Sequence, residues 1–323
     1  MGMVGMDAAE KQKGLIHRAL SAKQSEDYVL AAQLYDEAIT MGEHGYLSQA
    51  YYSKGVLAME VKRYDQALHC FQKAVGLTPE YEKAWVNLGC VLLTFDRHEE
   101  ALYAFEKAHN LVPDQAHLLF NRAYSLNRLG RYREAHIILK NLTANDEMAK
   151  EVAAALNEDG YKLYSETGLC SLQLGDLQNA LHFFRRAFNL NTSEYQVCYN
   201  LAYIYDSLRD FDQAILFYDL SIALDPNEYK GYQGKACTYI HMRRYDDALQ
   251  LITRAINISP DNFEAYYNLA CIYAGQRERE NMINAIHKTI ELAPPAFNVK
   301  TIFRKDEDFS AFNNDPGFLE VTS

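Results

Sequence analysis

Apolar residues in this chain recur at helical spacing in short blocks, and the blocks themselves repeat every 34 residues. In the segment from Glu82, the positions Trp85, Leu88, Gly89 and Leu92 fall on one helical face. A polar turn follows, then Ala101, Phe105 and Ala108 on a second face, and Pro113 ends the block. The same sites return along the chain. The small residue of the first helix is Ala19, Gly55, Gly89, Ala123, Gly168, Ala202, Ala236 and Ala270. The alanine of the second helix is Ala31, Ala67, Ala101, Ala135, Ala180, Ala214 and Ala248, with Met282 in the last repeat, and four places later stands Tyr35, Phe71, Phe105, Leu139, Phe184, Tyr218, Ile252 or Ile286.

Small residues let two helix backbones approach, and the large ones fill the neighbouring space, so the alternation predicts helical hairpins. Five of the seven prolines (Pro79, Pro113, Pro226, Pro260, Pro294) share one register just past the second helix, where a residue lacking an N–H cannot continue it. Eight repeats follow: 12–45, 48–81, 82–115, 116–149, 161–194, 195–228, 229–262 and 263–296. Their internal turns carry breakers or charge, as in Leu129-Gly130-Arg131-Tyr132 and Leu174-Gly175-Asp176-Leu177.

The run Trp85-x-x-Leu88-Gly89-x-x-Leu92, Ala101-x-x-x-Phe105-x-x-Ala108 and Pro113 resembles the tetratricopeptide-repeat signature, with Leu92 where an aromatic is commoner. The resemblance covers about nine-tenths of the chain. It implies an all-α, right-handed superhelical solenoid of about eight hairpins plus a C-terminal helical cap, with the first helices lining a concave groove. Residues 12–149 hold four repeats and 161–296 another four. Residues 1–11, as a terminus, are expected to be disordered.

The period breaks at Lys150 to Gly160. Asn145-Asp146-Glu147 reads as a helix start, Met148 to Leu156 favours helix, and Asn157-Glu158-Asp159-Gly160 reads as a stop and a new cap. An added or lengthened helix is expected at 150–160, with a tolerated surface insertion or a hinge between two halves as the readings it leaves open. Residues 297–323 leave the period but keep Phe303, Phe309, Phe312 and Phe318, which suits a cover for the solenoid end. This closing segment resembles those of bacterial members of the family.

Carried over by register, the groove position two before the small residue reads His17, Ser53, Asn87, Asn121, Glu166, Asn200, Gly234 and Asn268. The four Asn could bond both N–H and C=O of an extended peptide, although Asn is common there in the family on structural grounds. Tyr52, Phe120, Tyr124, Tyr199, Tyr203 and Tyr267 fall on the same face as rigid contact area, or pack against the adjacent repeat. Lys83, Lys162 and Lys230, with Lys13, occupy the second position of their repeats. Together with Lys23 and Arg128, set against Glu60, Glu166, Asp206 and Glu264, they predict a neutral or slightly positive lining. That lining suits an uncharged or mildly acidic peptide.

The formal net charge is −11, so the acidity is expected on the outer face, and a phosphate-backbone partner such as nucleic acid is disfavoured. No run of residues has the length and apolarity to span a bilayer, and a cytoplasmic location is the default reading. The six cysteines show no C-x-x-C or zinc spacing and read as buried thiols. No H-E-x-x-H or phosphate-cradling glycine loop occurs, so no cofactor, metal or enzymatic reaction is predicted. The family's carboxylate clamp for Hsp70 and Hsp90 tails lacks its set of residues, Lys83 with Asn87 being the nearest fragment. The reading is a non-catalytic scaffold that binds a protein or peptide in its groove. A receptor for a signalling peptide or small ligand, and a self-assembling homo-oligomer, are the alternatives.

Overall fold

In the computed structural model, residues 2–42, 44–156 and 160–323 are described. They form helices throughout, with no strand among the described residues. Two compact units result, residues 1–174 and 175–323.

The first unit begins with the hairpin of α1 (Gly2–Gln24) and α2 (Tyr28–Met41), followed by α3 (His44–Glu60) with α4 (Tyr64–Leu77). Next come α5 (Glu82–Thr94) with α6 (His98–Leu111), and α7 (Ala116–Arg128) with α8 (Tyr132–Ala144). Each second helix packs on the first helix of the next hairpin, and the first helices α1, α3, α5 and α7 also touch in succession. Where disorder was expected for residues 1–11, α1 starts at Gly2. Good helix formers such as Ala8, Ala9 and Lys11 carry it, and it is anchored where buried Gln12 donates from Nε2 to the Ala38 carbonyl at 2.8 Å.

The alternation of small and large residues is realised as close packing. Ala19 and Ala123 are fully buried, as are Tyr35, Phe71, Phe105 and Leu139 opposite. At Gly55 and Gly89 a Cβ would stand 2.7 Å from the Phe71 ring and 2.5 Å from the Phe105 ring, so only glycine fits beneath those rings.

Each hairpin turn uses one left-handed residue. Glu26, Lys62, Asp96, Gly130, Gly175, Arg209, Arg243 and Arg277 all have φ between 54° and 78°, at one register in the repeat. In the turn after α3 the Arg63 N–H reaches the Ala58 carbonyl at 2.8 Å and the Lys62 N–H reaches Met59 at 3.0 Å, closing the last turn of the helix. Six of the eight sites carry a side chain where glycine would fit without strain.

The interruption at 150–160 is an added helix, α9 (Asp146–Ala155), capped by Asn145, whose Oδ1 accepts from the Glu147 and Met148 N–H groups. It packs on α7 and α8 and buries Val152 fully. Gly160, at φ 77°, then starts α10 (Tyr161–Gln173), which packs on α7, α8 and α9. The predicted stop at Asn157-Glu158-Asp159 lies outside the described residues. Residues 150–156 thus belong to the first unit, and the division falls between Leu174 and Gly175, inside the fifth repeat.

The second unit runs α11 (Leu177–Leu190), α12 (Tyr195–Ser207), α13 (Phe211–Leu224), α14 (Tyr229–His241), α15 (Tyr245–Ile258), α16 (Phe263–Gln276) and α17 (Arg279–Leu292). After them α18 (Val299–Lys305), a 3-10 turn (Glu307–Phe312) and α19 (Pro316–Thr322) fold back on α16 and α17. Phe303, Phe309 and Phe318 are fully buried in the core of the last hairpins, and Phe309 stacks on Phe318 with centroids 5.8 Å apart. Arg279 grips Asp315 through two hydrogen bonds of 2.6 and 2.8 Å. That guanidinium and the Phe318 N–H hold the Asp315 carboxyl down at about 2. These contacts make the last segment a cap over an otherwise exposed hairpin face.

Candidate interaction surface

The inner face of the first unit is built from α3, α5, α7 and α10, and most of its polar and aromatic groups meet one another. Tyr52 lies 4.8 Å, ring to ring, from Tyr81 and 5.9 Å from Phe71. Its hydroxyl accepts from Asn87 Nδ2 at 3.4 Å, and burial pushes its pKa up. Phe120 is buried, 6.4 Å from Tyr124, and the Arg128 guanidinium covers the Tyr124 ring at 4.6 Å. Asn121 is half-buried, and its carbonyl accepts the Ser125 hydroxyl at 2.9 Å. Lys83 and Lys162 are exposed on α5 and α10.

At the end of that face sits a polar knot. Glu166 receives Asn127 Nδ2 at 2.6 Å and pairs with Arg128, while the Cys170 thiol donates to Asn127 Oδ1 at 2.7 Å. Burial raises the Glu166 carboxyl against the opposing pull of Arg128, Asn127 and Lys162. Lys23 and Glu60 pair at 2.6 Å elsewhere on the face. The register places Glu166 where other repeats have Asn, and the structure uses it as a strut between α7 and α10.

In the second unit the first helices α12, α14 and α16 touch in succession. On α12, Val197, Leu201, Ile204 and Tyr205 turn into the core, whereas Tyr203 is 46% exposed. Asn200 is half-buried on the same face, and Lys230 is exposed on α14. Tyr199 is half-buried, with its ring 5.9 Å from Tyr218. Burial, followed by the charges of Cys237, Tyr203, Glu264 and Tyr229, lifts its pKa to about 12. Gly234 takes the ladder position on α14 because a Cβ there would stand 2.4 Å from the Tyr218 ring.

The ladder ends on α16 in contacts within the protein. Asn268 Nδ2 donates to Cys237 Sγ at 3.1 Å, and the Tyr267 hydroxyl donates to Asp306 of the cap, with its ring 4.9 Å from Phe303. Of the thirteen sequence-predicted site residues, Tyr199, Asn200 and Tyr203 lie on α12 and Lys230 on the adjacent α14, while Tyr52, Phe120, Tyr267, Asn87 and Asn268 are engaged in packing or internal hydrogen bonds.

Other groups of this surface carry no signature of their own. His241 Nδ1 lies 3.0 Å from Asp206, and that hydrogen bond raises the imidazole pKa. Gln233 bridges the neighbouring repeat, accepting from Asn262 at 2.7 Å and donating to Glu264 at 3.3 Å. Asp306 and Asp308 arrive from the cap, outside the repeats. Asp206, Glu264, Asp306 and Asp308 stand here with Lys230, His241, Arg209 and Arg243. The spacing of 35 between Asp206 and His241, one residue off the period, is the signal that could have exposed their pairing. All six cysteines are free thiols, and burial pushes Cys90 to about 11 and Cys237 to about 12, far from thiolate reactivity at neutral pH. The arrangement offers contact area and hydrogen bonds.

Sequence profiles of the tetratricopeptide repeat match residues 48–81, 82–114, 195–228, 229–262 and 251–286. No curated protein matches the chain. Among solved structures, one from the functional characterisation of Pseudomonas aeruginosa pilF is 21% identical, covers 69% of this chain and 96% of that chain, and superposes with a TM-score of 0.54. A tetratricopeptide repeat protein from Parabacteroides merdae is 16% identical over 85% of this chain and 98% of that one, with a TM-score of 0.56. The Cut9–Hcn1 hetero-tetramer of the APC/C gives 19% identity, 78% and 47% coverage, and a TM-score of 0.53. At such identities the likeness carries the fold and nothing finer.

Proposed function

Because the chain belongs to the tetratricopeptide-repeat family, we propose that it is a non-catalytic interaction scaffold that captures an extended peptide segment on the inner face of α12 and α14. The observation that carries this is the exposure of Tyr203, 46%, on a helix whose other large side chains are mostly buried. Tyr203 supplies rigid contact area, the Asn200 amide can bond a peptide N–H and C=O, and Lys230 stands at the rim. A chaperone-tail clamp in the first unit is disfavoured further, since the amide of its fragment Lys83 and Asn87 already donates to Tyr52.

Benzoylphenylalanine placed at position 203 and, separately, at position 216, an equally exposed leucine on α13, tests the assignment by photocrosslinking in cells. The proposal expects a discrete adduct from position 203 whose partner site maps to one short segment. Equal adducts from both positions, or none from 203, would overturn it.

A further inference from the structure

A cleft of about 400 Å³ opens in the first unit between α4, α5 and α6, away from the inner-face residues described above. Val75, Trp85, Leu88, Leu92, Tyr103 and Ala104 line it, together with Glu99 and Glu100. The indole is fixed: its Nε1–H donates to the Pro79 carbonyl at 2.8 Å, and it meets Tyr103 edge to face at 6.0 Å. Tyr103 is 54% exposed, a large aromatic on an outward helix with no core to fill.

The two carboxylates differ in their attachments. Arg97 takes Glu100 through two hydrogen bonds of 2.6 and 2.7 Å. Glu99 is exposed and has no ion-pair or hydrogen-bond partner among the described residues. Lys107 Nζ lies 5.1 Å from the Tyr103 ring, which shows that this aromatic surface already attracts a cation. The corresponding cleft one hairpin earlier, about 300 Å³ between α2, α3 and α4, answers itself: Lys54 pairs with Asp36, and Arg63 also lines it. Between α4 and α6 the sites equivalent to Asp36 and Lys54 are Gln72 and Leu88, so that ion pair is missing; with Arg97 taken by Glu100 and Lys107 on the Tyr103 ring, Glu99 is left without a paired cation.

We propose that this outer cleft binds a basic side chain, arginine or lysine, of a partner polypeptide, with its aliphatic stem on Trp85 and Leu88 and its charge at Glu99. Trp85 is the sole tryptophan, so its emission reports occupancy of this site alone. The test titrates the full-length protein with a short capped peptide holding one arginine between leucines, and with the same peptide holding citrulline, at fixed ionic strength. A saturable change in Trp85 emission is expected, with the arginine peptide about tenfold tighter than the citrulline peptide. Glu99→Gln, an exposed substitution checked for folding by circular dichroism, reduces the arginine peptide to the citrulline level. Tyr203→Ala, in the other unit, leaves the titration unchanged, which separates this site from the inner-face proposal. No saturable change, equal response to the two peptides, or an unaltered titration in Glu99→Gln would overturn the assignment.

Discussion

The inner faces of the two units spend their polar and aromatic side chains differently. In the first unit Tyr52 and Asn87 close on each other and on Tyr81, and Asn127, Glu166, Arg128 and Cys170 form a polar knot. In the second unit, at α12 and α14, Tyr203 and Lys230 stay exposed and Asn200 lines the same face. A repeat therefore fixes where a side chain is presented, while the neighbouring repeat decides whether it is consumed in packing or left exposed.

The comparison can be broken most forcefully from its cap. Phe309→Ala removes a fully buried ring from the second unit and is expected to cost about 3–5 kcal/mol. Hydrogen exchange should show the loss in α16 and α17 and leave α3 to α7 protected; equal loss in both units would deny the cap its local role. A finer contrast pairs two asparagines. Asn127→Ala strips the buried Glu166 of a donor and should cost about 1–3 kcal/mol in chemical denaturation. Asn200→Ala should stay within about 0.5 kcal/mol, as an amide held for a partner would.

Smaller effects come from the turns and from pH. Lys62→Gly in the first unit and Arg209→Gly in the second each relieve a left-handed side chain and should stabilise by about 1 kcal/mol, equally in both units, because the turn is common to them. Asp206, with Arg209 and Asp308 nearby, surrounds His241, whose folded pKa is raised. Its contribution is complete below the unfolded value of about 6.5 and fades as pH rises through the higher folded value. The stability gap between wild type and His241→Gln in chemical denaturation should thus be larger at pH 6 than at pH 8.

The hairpins, their register and the added helix after Asn145 were legible in the sequence, because close packing leaves a fixed alternation such as Gly89 under Phe105 and Ala101 beside it, and Asn145-Asp146-Glu147 marks a helix start. The left-handed turn residues were half legible: Gly130 and Gly175 announce them, but Lys62, Asp96 and Arg209 adopt the same conformation against their own preference, held by the Schellman-type hydrogen bonds of the flanking helices. The site was the least legible part. Register put Tyr267 on the same face as Tyr203, yet Tyr267 is taken by Asp306 and Phe303, which come from beyond the repeats. Helix-forming residues at 2–11 were likewise read as a loose terminus, since their anchor, Gln12 to Ala38, is a tertiary contact.

Tyrosine nitration of the intact protein, followed residue by residue by mass spectrometry, addresses the difference between the two inner faces most directly. It needs solvent access and phenolate, both of which are reduced at the half-buried Tyr52, Tyr199 and Tyr267, whose pKa values burial raises. Tyr203 is predicted to react many times faster than those three; comparable rates at Tyr52 and Tyr203 would contradict the contrast between an open Tyr203 on α12 and a closed Tyr52 on α3.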